Sequence, residues 1–284
     1  MDINYIAQMI RRVREKSGYT QEQLAVKLNV SAQAVSKWEN GKNLPDIENL
    51  MLIAELTNTP YAVLLSEQEE GQETEFTYRS RLFNEENMYT RLKTTAEAEG
   101  LEETYRALDY MRTRHMGQYR NKQKHTEDLV AYINHPLTMA CQAHAYGIKD
   151  DALLAAILLH DVVEDTGVSL EELPFSDEVK EIVGLVTFTV PDGMSKAEAK
   201  DIYYQKIAAN GKACVVKIID RCNNVSTMAA SFTRERMIKY INETEKYVLP
   251  LTDILQNTYP EYSDLSFLVK YQIISVIETI KNML

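Results

Sequence analysis

Apolar positions recur at helical spacing through most of this chain, and no sustained two-residue alternation suggests a sheet, so an all-α protein is expected. Before about residue 65 the pattern marks five short helix-like pieces. From about 76 onward helix follows helix, and residues 76–110, with "ETYRALDYM", read as lead-in helices to a larger core. Between these regions lies "SEQEEGQETE", polar and acidic, which reads as a linker. The expected organisation is therefore domain 1–65, linker 66–75 and domain 76–284. One apolar stretch, "LLAAILL", runs directly into "HDVVEDTG". At 100° per residue, His160, Asp161, Glu164 and Asp165 fan over about 140° of helix surface, on the side of Leu153, Ala156 and Ile157. The charged cluster is thus expected to face inward, where unpartnered carboxylates are costly and a cation is the economical partner.

Composition narrows the classes. With 284 residues and 45% hydrophobic content there is enough chain for two domains, and ten glycines and seven prolines suit a helical protein. The apolar runs are far shorter than the ~20 residues of a membrane span, and "MDINYIAQMIRRVREKSG" has no signal-peptide stretch. Cys141, Cys214 and Cys222 lack CxxC spacing and read as reduced thiols. A cytoplasmic protein without membrane association is expected. The net charge of −11 argues against a broadly basic nucleic-acid surface, although a small domain can bind DNA through one face.

"YTQEQLAVKLNVSAQAVSKWENGKNLPD" is punctuated as a helix-turn-helix, with Thr20 capping one helix and Ser31 the next. If Val35 faces inward, Gln33, Ser36, Lys37 and Asn40 form one outward polar stripe. Gln33 suits adenine and Lys37 guanine, whereas Asn40 and Gln21 are placed for phosphates. "TQEQLA", "VSKWENGKNLPD" and "LMLIAELTNTP" resemble the phage-repressor/Cro-like (XRE) family over roughly residues 5–65, which implies a five-helix module on a double-stranded DNA operator. Residues 1–65 hold seven basic and seven acidic side chains, so each copy should bind modestly and a homodimer is expected. Val269, Ile273, Val276, Ile280 and Met283 repeat with 4-3-4-3 spacing, a seam for a second copy or, more in keeping with a single short helix, for the parent domain.

A cation at His160 and Asp161 needs more ligands. His135, in "YINHPLTMACQAHAYG", starts a helix beside Pro136, and His144 falls about 180° round from it. His115 and His125 read as surface histidines. Asp220, in "VVKIIDRCNN", completes a two-His, two-Asp set that suits Mn²⁺ or another divalent first-row metal. Glu164 and Asp165 then have a use in orienting or deprotonating water.

"NHP", "LLHDVVEDT" and "IIDRCNN" resemble the H…HD…D order of the HD-domain phosphohydrolases. With "ETEKYVLPL", residues 108–255 are similar to the hydrolase domain of the RelA/SpoT family and its small alarmone hydrolases. The resemblance implies Mn²⁺ at His135, His160, Asp161 and Asp220, catalysis by Glu164 and Asp165, and pyrophosphate release from guanosine tetra- or pentaphosphate. From "HMGQYRNK" it implies Arg120 stacked on the base. It also implies substrate contacts at Asn224 and Tyr247, and Lys200 is a further phosphate-binding candidate. Asn121, Asn223 and Ser226 depart from the family's basic residue, histidine and arginine. No synthetase domain is expected after the match. Two alternatives stay open: a nucleotidase acting on another phosphate ester, or a catalytically weak nucleotide sensor.

Overall fold

Side-chain caps delimit the first helices. Thr20 accepts from the Gln23 N–H and the Gln23 side chain returns the bond, a full capping box at the start of α2 (Gln21–Leu28). Asn29 ends that helix in the left-handed region at φ 53°, and Ser31 caps α3 (Ala32–Glu39) through the Ala34 N–H. With α1 (Ile3–Lys16) and α4 (Ile47–Leu56), these helices close over Ile6, Ile10, Leu24, Val35, Trp38 and Ile53. The computed structural model describes residues 3–57, 59, 84–120 and 130–284, and it divides into two compact units, Met1–Thr77 and Tyr78–Leu284. The expected linker 66–75, a fifth helix before residue 65, Asn121 and His125 lie outside the described residues.

The larger unit begins with α5 (Glu85–Glu99) and α6 (Glu102–Arg114). Asp151 caps α6 from a distance, accepting from the N–H groups of Glu103 and Thr104 at 2.9 and 2.7 Å. That ties α6 to α8 (Asp151–Leu159), whose residues from Ala152 to Leu159 are all buried. A helix apolar all round belongs in the middle of a core. Around it lie α6, α7 (Asn134–Ala145) and α10 (Asp177–Val186). The second central helix is α12 (Gly211–Ser231), flanked by α11 (Lys196–Ala208), α14 (Leu249–Thr258) and α15 (Ser263–Met283). Gly211 lets it start there, since a Cβ would come within 2.7 Å of the Tyr259 ring. Between α12 and α14 the chain runs through α13 (Arg234–Glu243) and a π-helical turn, Thr244–Val248. Among the described residues no strand forms, and Tyr119 with Ala131 makes an isolated bridge. No helix of these residues is long and apolar enough to cross a membrane.

Three expectations are corrected. The helix does not continue through "HDVVED": α8 stops at Leu159, and a separate turn, α9 (Val162–Asp165), follows. Val162 takes the inward position, so Glu164 and Asp165 are exposed while His160 is buried. His115 is no surface histidine. Its ring is 2% exposed and stacks on Tyr132 at 4.7 Å. The 4-3-4-3 seam also shifts, because Val269, Ile273, Ile277 and Ile280 face α12 and α14 while Met283 is 80% exposed. The final helix completes its own core.

Candidate metal centre and nucleic-acid interface

Four side chains from three parts of the chain converge on one point. α7 supplies His135 in its first turn, the break after α8 supplies His160 and Asp161, and α12 supplies Asp220. One ligand atom each from His135, His160 and Asp220 lies within 4.8 Å of the others. Asp161 Oδ2 stands 2.9 Å from His160 Nε2 and 3.8 Å from His135 Nε2, and Asp220 Oδ1 is 3.3 Å from His135 Nε2. Hydrogen bonds on the outer side orient these groups. His160 Nδ1 meets the Ile157 carbonyl at 2.8 Å, and since a carbonyl only accepts, Nδ1 carries the proton. His135 Nδ1 likewise meets Asn223 Oδ1 at 2.7 Å. Both Nε2 atoms are left turned toward the carboxylates, the usual arrangement of histidines that bind metals. His160 Nε2 is buried without a hydrogen bond among the described residues, despite its closeness to Asp161. Two imidazoles and two carboxylates around an orphaned nitrogen fit a divalent cation.

These buried groups set one another's charge. Burial works against a charge on His160, but Asp161 and Asp220 outweigh it and raise its pKa to about 9. Asp220 is held well below the usual carboxylate range. Burial opposes its ionisation, and the Lys217 ammonium at 2.9 Å, with His135, overcomes that. Asp161 is also lowered, by the two histidines against burial, and it accepts the Tyr132 hydroxyl. A proton on His160 therefore stands where a cation would bind, so metal binding should displace it.

Beside this cluster opens a cavity of ≈ 290 Å³ lined by both acids and cations. Asp161, Glu164, Asp165, Asp220 and Glu243 line it together with Lys200, Lys217, Arg221 and Asn224. Glu164 lifts its carboxylate toward this space and accepts from the Phe188 N–H at 3.3 Å. Partial loss of solvent around the carboxylate, reinforced by Asp161, raises its pKa. Lys200 pairs with Glu243, whose second oxygen holds Arg221 at 2.9 Å. Tyr247 is set back from the cavity, stacked on Tyr204 at 4.6 Å and bonded to Asp201. Arg120 is also set back, bonded to Asn223 and Asn224. A larger, more open depression of ≈ 460 Å³ is lined by Asp192, Glu198 and Asp201 but has no comparable ligand group among the described residues.

In the smaller unit, Gln33, Lys37 and Asn40 are exposed and Ser36 is half-buried, on the face of α3 opposite Val35 and Trp38. Asn40 folds back to donate to the Ser36 carbonyl at 2.7 Å. Gln21 is turned inward, its amide donating to Glu39, which Arg14 holds at 3.0 Å.

Residues 10–64 match the helix-turn-helix family model. The chain is 38% identical over 114 residues to guanosine-3′,5′-bis(diphosphate) 3′-pyrophosphohydrolase MESH1 of Xenopus tropicalis, covering 38% of this chain and 62% of that protein. It is 33% identical over 171 residues to a probable GTP pyrophosphokinase of Mycobacterium leprae, covering 58% of this chain and 21% of that one. A solved metazoan ortholog of SpoT aligns over 62% of this chain and 94% of its own, with 23% identity and a TM-score of 0.49. The chain carries a helix-turn-helix and is homologous to guanosine-3′,5′-bis(diphosphate) 3′-pyrophosphohydrolases. Sequence reasoning about this homologue missed Tyr132, Lys217, Arg221 and Glu243 at the site. Lys217 had left a signal, as a lone lysine in "VVKIID" one helical turn before Asp220.

Proposed function

We propose that this chain is a DNA-binding protein whose larger unit, residues 76–284, is a metal-dependent phosphohydrolase removing the 3′-diphosphate of guanosine tetra- or pentaphosphate as pyrophosphate. The domain limits 1–65 and 76–284, joined by the linker 66–75, belong to this reading. The observation that carries it is the orphaned His160 Nε2, converging with His135, Asp161 and Asp220 beside a cavity walled by Lys200, Lys217 and Arg221. The relatives' activity supports the choice of nucleotide.

Mn²⁺ or another divalent first-row ion held by these four side chains would supply Lewis-acid stabilisation of charge and a lower pKa for water. The chain's own groups do the rest. Glu164 and Asp165 hold the attacking water and take its proton, a task for which the raised pKa of Glu164 is suited. The water oxygen bonds to the phosphorus attached to O3′, the P–O3′ bond breaks, and O3′ takes up a proton. GDP, or GTP from the pentaphosphate, and pyrophosphate leave. Lys200, Lys217 and Arg221 compensate the phosphate charge, Lys200 and Arg221 exchanging Glu243 for the substrate. Asn224, Tyr247 and Arg120 complete the substrate side in this reading, and the stripe Gln33, Ser36, Lys37 and Asn40, with Gln21, contacts DNA in a cytoplasmic homodimer. The test is a panel of phosphorylated nucleotides incubated with the Mn²⁺-loaded full chain. Guanosine tetra- and pentaphosphate should be consumed with pyrophosphate release, whereas preference for another phosphate ester would replace the substrate and keep the metal chemistry.

A further inference from the structure

Arg120 does not line the cavity. It lies behind the metal centre, partly buried, with its backbone N–H tied to the Val130 carbonyl at 2.9 Å. Its Nη1 donates to Asn223 Oδ1 at 3.1 Å and its Nη2 to Asn224 Oδ1 at 2.8 Å. Each of these asparagines in turn touches one candidate ligand. Asn223 Oδ1 also accepts His135 Nδ1–H at 2.7 Å, and Asn224 Nδ2 donates to Asp220 Oδ1 at 2.6 Å.

The chemistry of the guanidinium makes this chain directional. It has five donors and no acceptor, so any amide atom facing it must be an oxygen. Asn223 therefore presents oxygen to His135, which makes Nδ1 the protonated nitrogen and leaves Nε2 as the free lone pair. Asn224 presents oxygen to Arg120 and NH₂ to Asp220. Without the guanidinium, either amide could turn over. A flipped Asn223 would offer NH₂ to His135 Nδ1 and move the ring proton to Nε2, onto the lone pair a cation needs. A flipped Asn224 would set an oxygen against the Asp220 carboxylate.

We infer that Arg120 is a positioning residue of the metal centre, fixing through Asn223 and Asn224 the His135 tautomer and the Asp220 orientation that a divalent cation requires. This rests on the metal-centre reading above and gives Arg120 a part in addition to its place on the substrate side. Charge and position predict opposite signs. A nearby cation repels a dication, so removing Arg120 as a mere charge would tighten metal binding, whereas removing it as a positioning group weakens binding.

The experiment is calorimetric titration of the metal-free full chain with Mn²⁺, without nucleotide. Arg120→Ala should weaken binding by about 10- to 100-fold, the usual cost of losing an outer-sphere partner. Asn223→Asp is the rescue. A carboxylate can only accept, so it keeps His135 Nδ1–H in place unaided, and Arg120→Ala should cost several-fold less affinity in the Asn223→Asp background than in the native one. If Arg120→Ala does not fold, Arg120→Lys takes its place. It keeps the charge but lacks the two-pronged fork, and it should also bind Mn²⁺ at least ~10-fold more weakly. Unchanged or tighter Mn²⁺ binding on loss of the guanidinium overturns the inference, as does an equal cost in both backgrounds. Failure of the unaltered chain to bind Mn²⁺ overturns the metal-centre reading itself.

Discussion

The helix-turn-helix unit and the larger unit place their polar residues in opposite ways. In the first, the candidate DNA stripe is local and outward: Gln33, Ser36 and Lys37 share one face of the eight-residue α3, with Ser31 at its N-cap and Asn40 at its C-cap. In the second, charged groups from distant parts of the chain are buried against one another, and each depends on partners elsewhere. A surface site can be altered one side chain at a time. A buried polar site answers as a network, because any group left unpaired costs its full desolvation.

The sharpest way to break that contrast is at Asp220. Asp220→Ala should abolish Mn²⁺ binding and turnover together, and it should also leave the Lys217 ammonium buried and unpaired. Losing one partner of such a pair typically destabilises by about 3–5 kcal/mol. Chemical denaturation with a parallel metal titration checks both effects, and a stable variant that still turns over would remove Asp220 from the centre. Next in size is Asp165→Asn, expected to retain Mn²⁺ while losing about 10²- to 10⁴-fold in kcat. Full activity there would cancel the general-base role. The pH profile sharpens the same point. Partial loss of solvent raises the pKa of Glu164, and the deprotonated form is the useful one, so kcat/KM should fall on acidification at a pH above the ordinary carboxyl value of 4.5. Measured at saturating Mn²⁺, that acid limb should disappear in Glu164→Gln; an unchanged limb belongs to another group.

How legible each region was follows from the same difference. Helix caps, the outward stripe and the buried α8 could be read from spacing, because period and capping act over one or two turns. The four metal-ligand candidates were also readable, since their residue types are rare in apolar surroundings. What spacing could not show was the break at His160, where a continuous helix would have carried Glu164 and Asp165 inward with the ligands. Nor could it show that His115 lies buried against Tyr132, or that Arg120 faces two asparagines about a hundred residues away. Those contacts exist only after folding, and no local pattern encodes them.

Smaller effects belong to the outward site. Lys37→Ala should weaken operator binding by about 1–3 kcal/mol and leave hydrolysis by the free protein unchanged. A band-shift titration beside an activity assay separates the two, and a parallel loss of hydrolysis would contradict the independence of the sites. Ser31→Ala removes only a cap and should cost about 1 kcal/mol of stability, seen as a small fall in the melting of the helix-turn-helix unit. A loss of several kcal/mol would mean that this surface is networked like the buried centre.

The central claim is that the buried two-His, two-Asp centre hydrolyses a guanosine 3′-diphosphate. Phosphorus NMR of the full chain with guanosine tetraphosphate and Mn²⁺ tests it most directly. The account predicts GDP and pyrophosphate in equal amounts, with turnover stopped by a chelator and absent in Asp161→Ala. Intact nucleotide with the Mn²⁺-loaded chain, or hydrolysis that persists in Asp161→Ala, would contradict it.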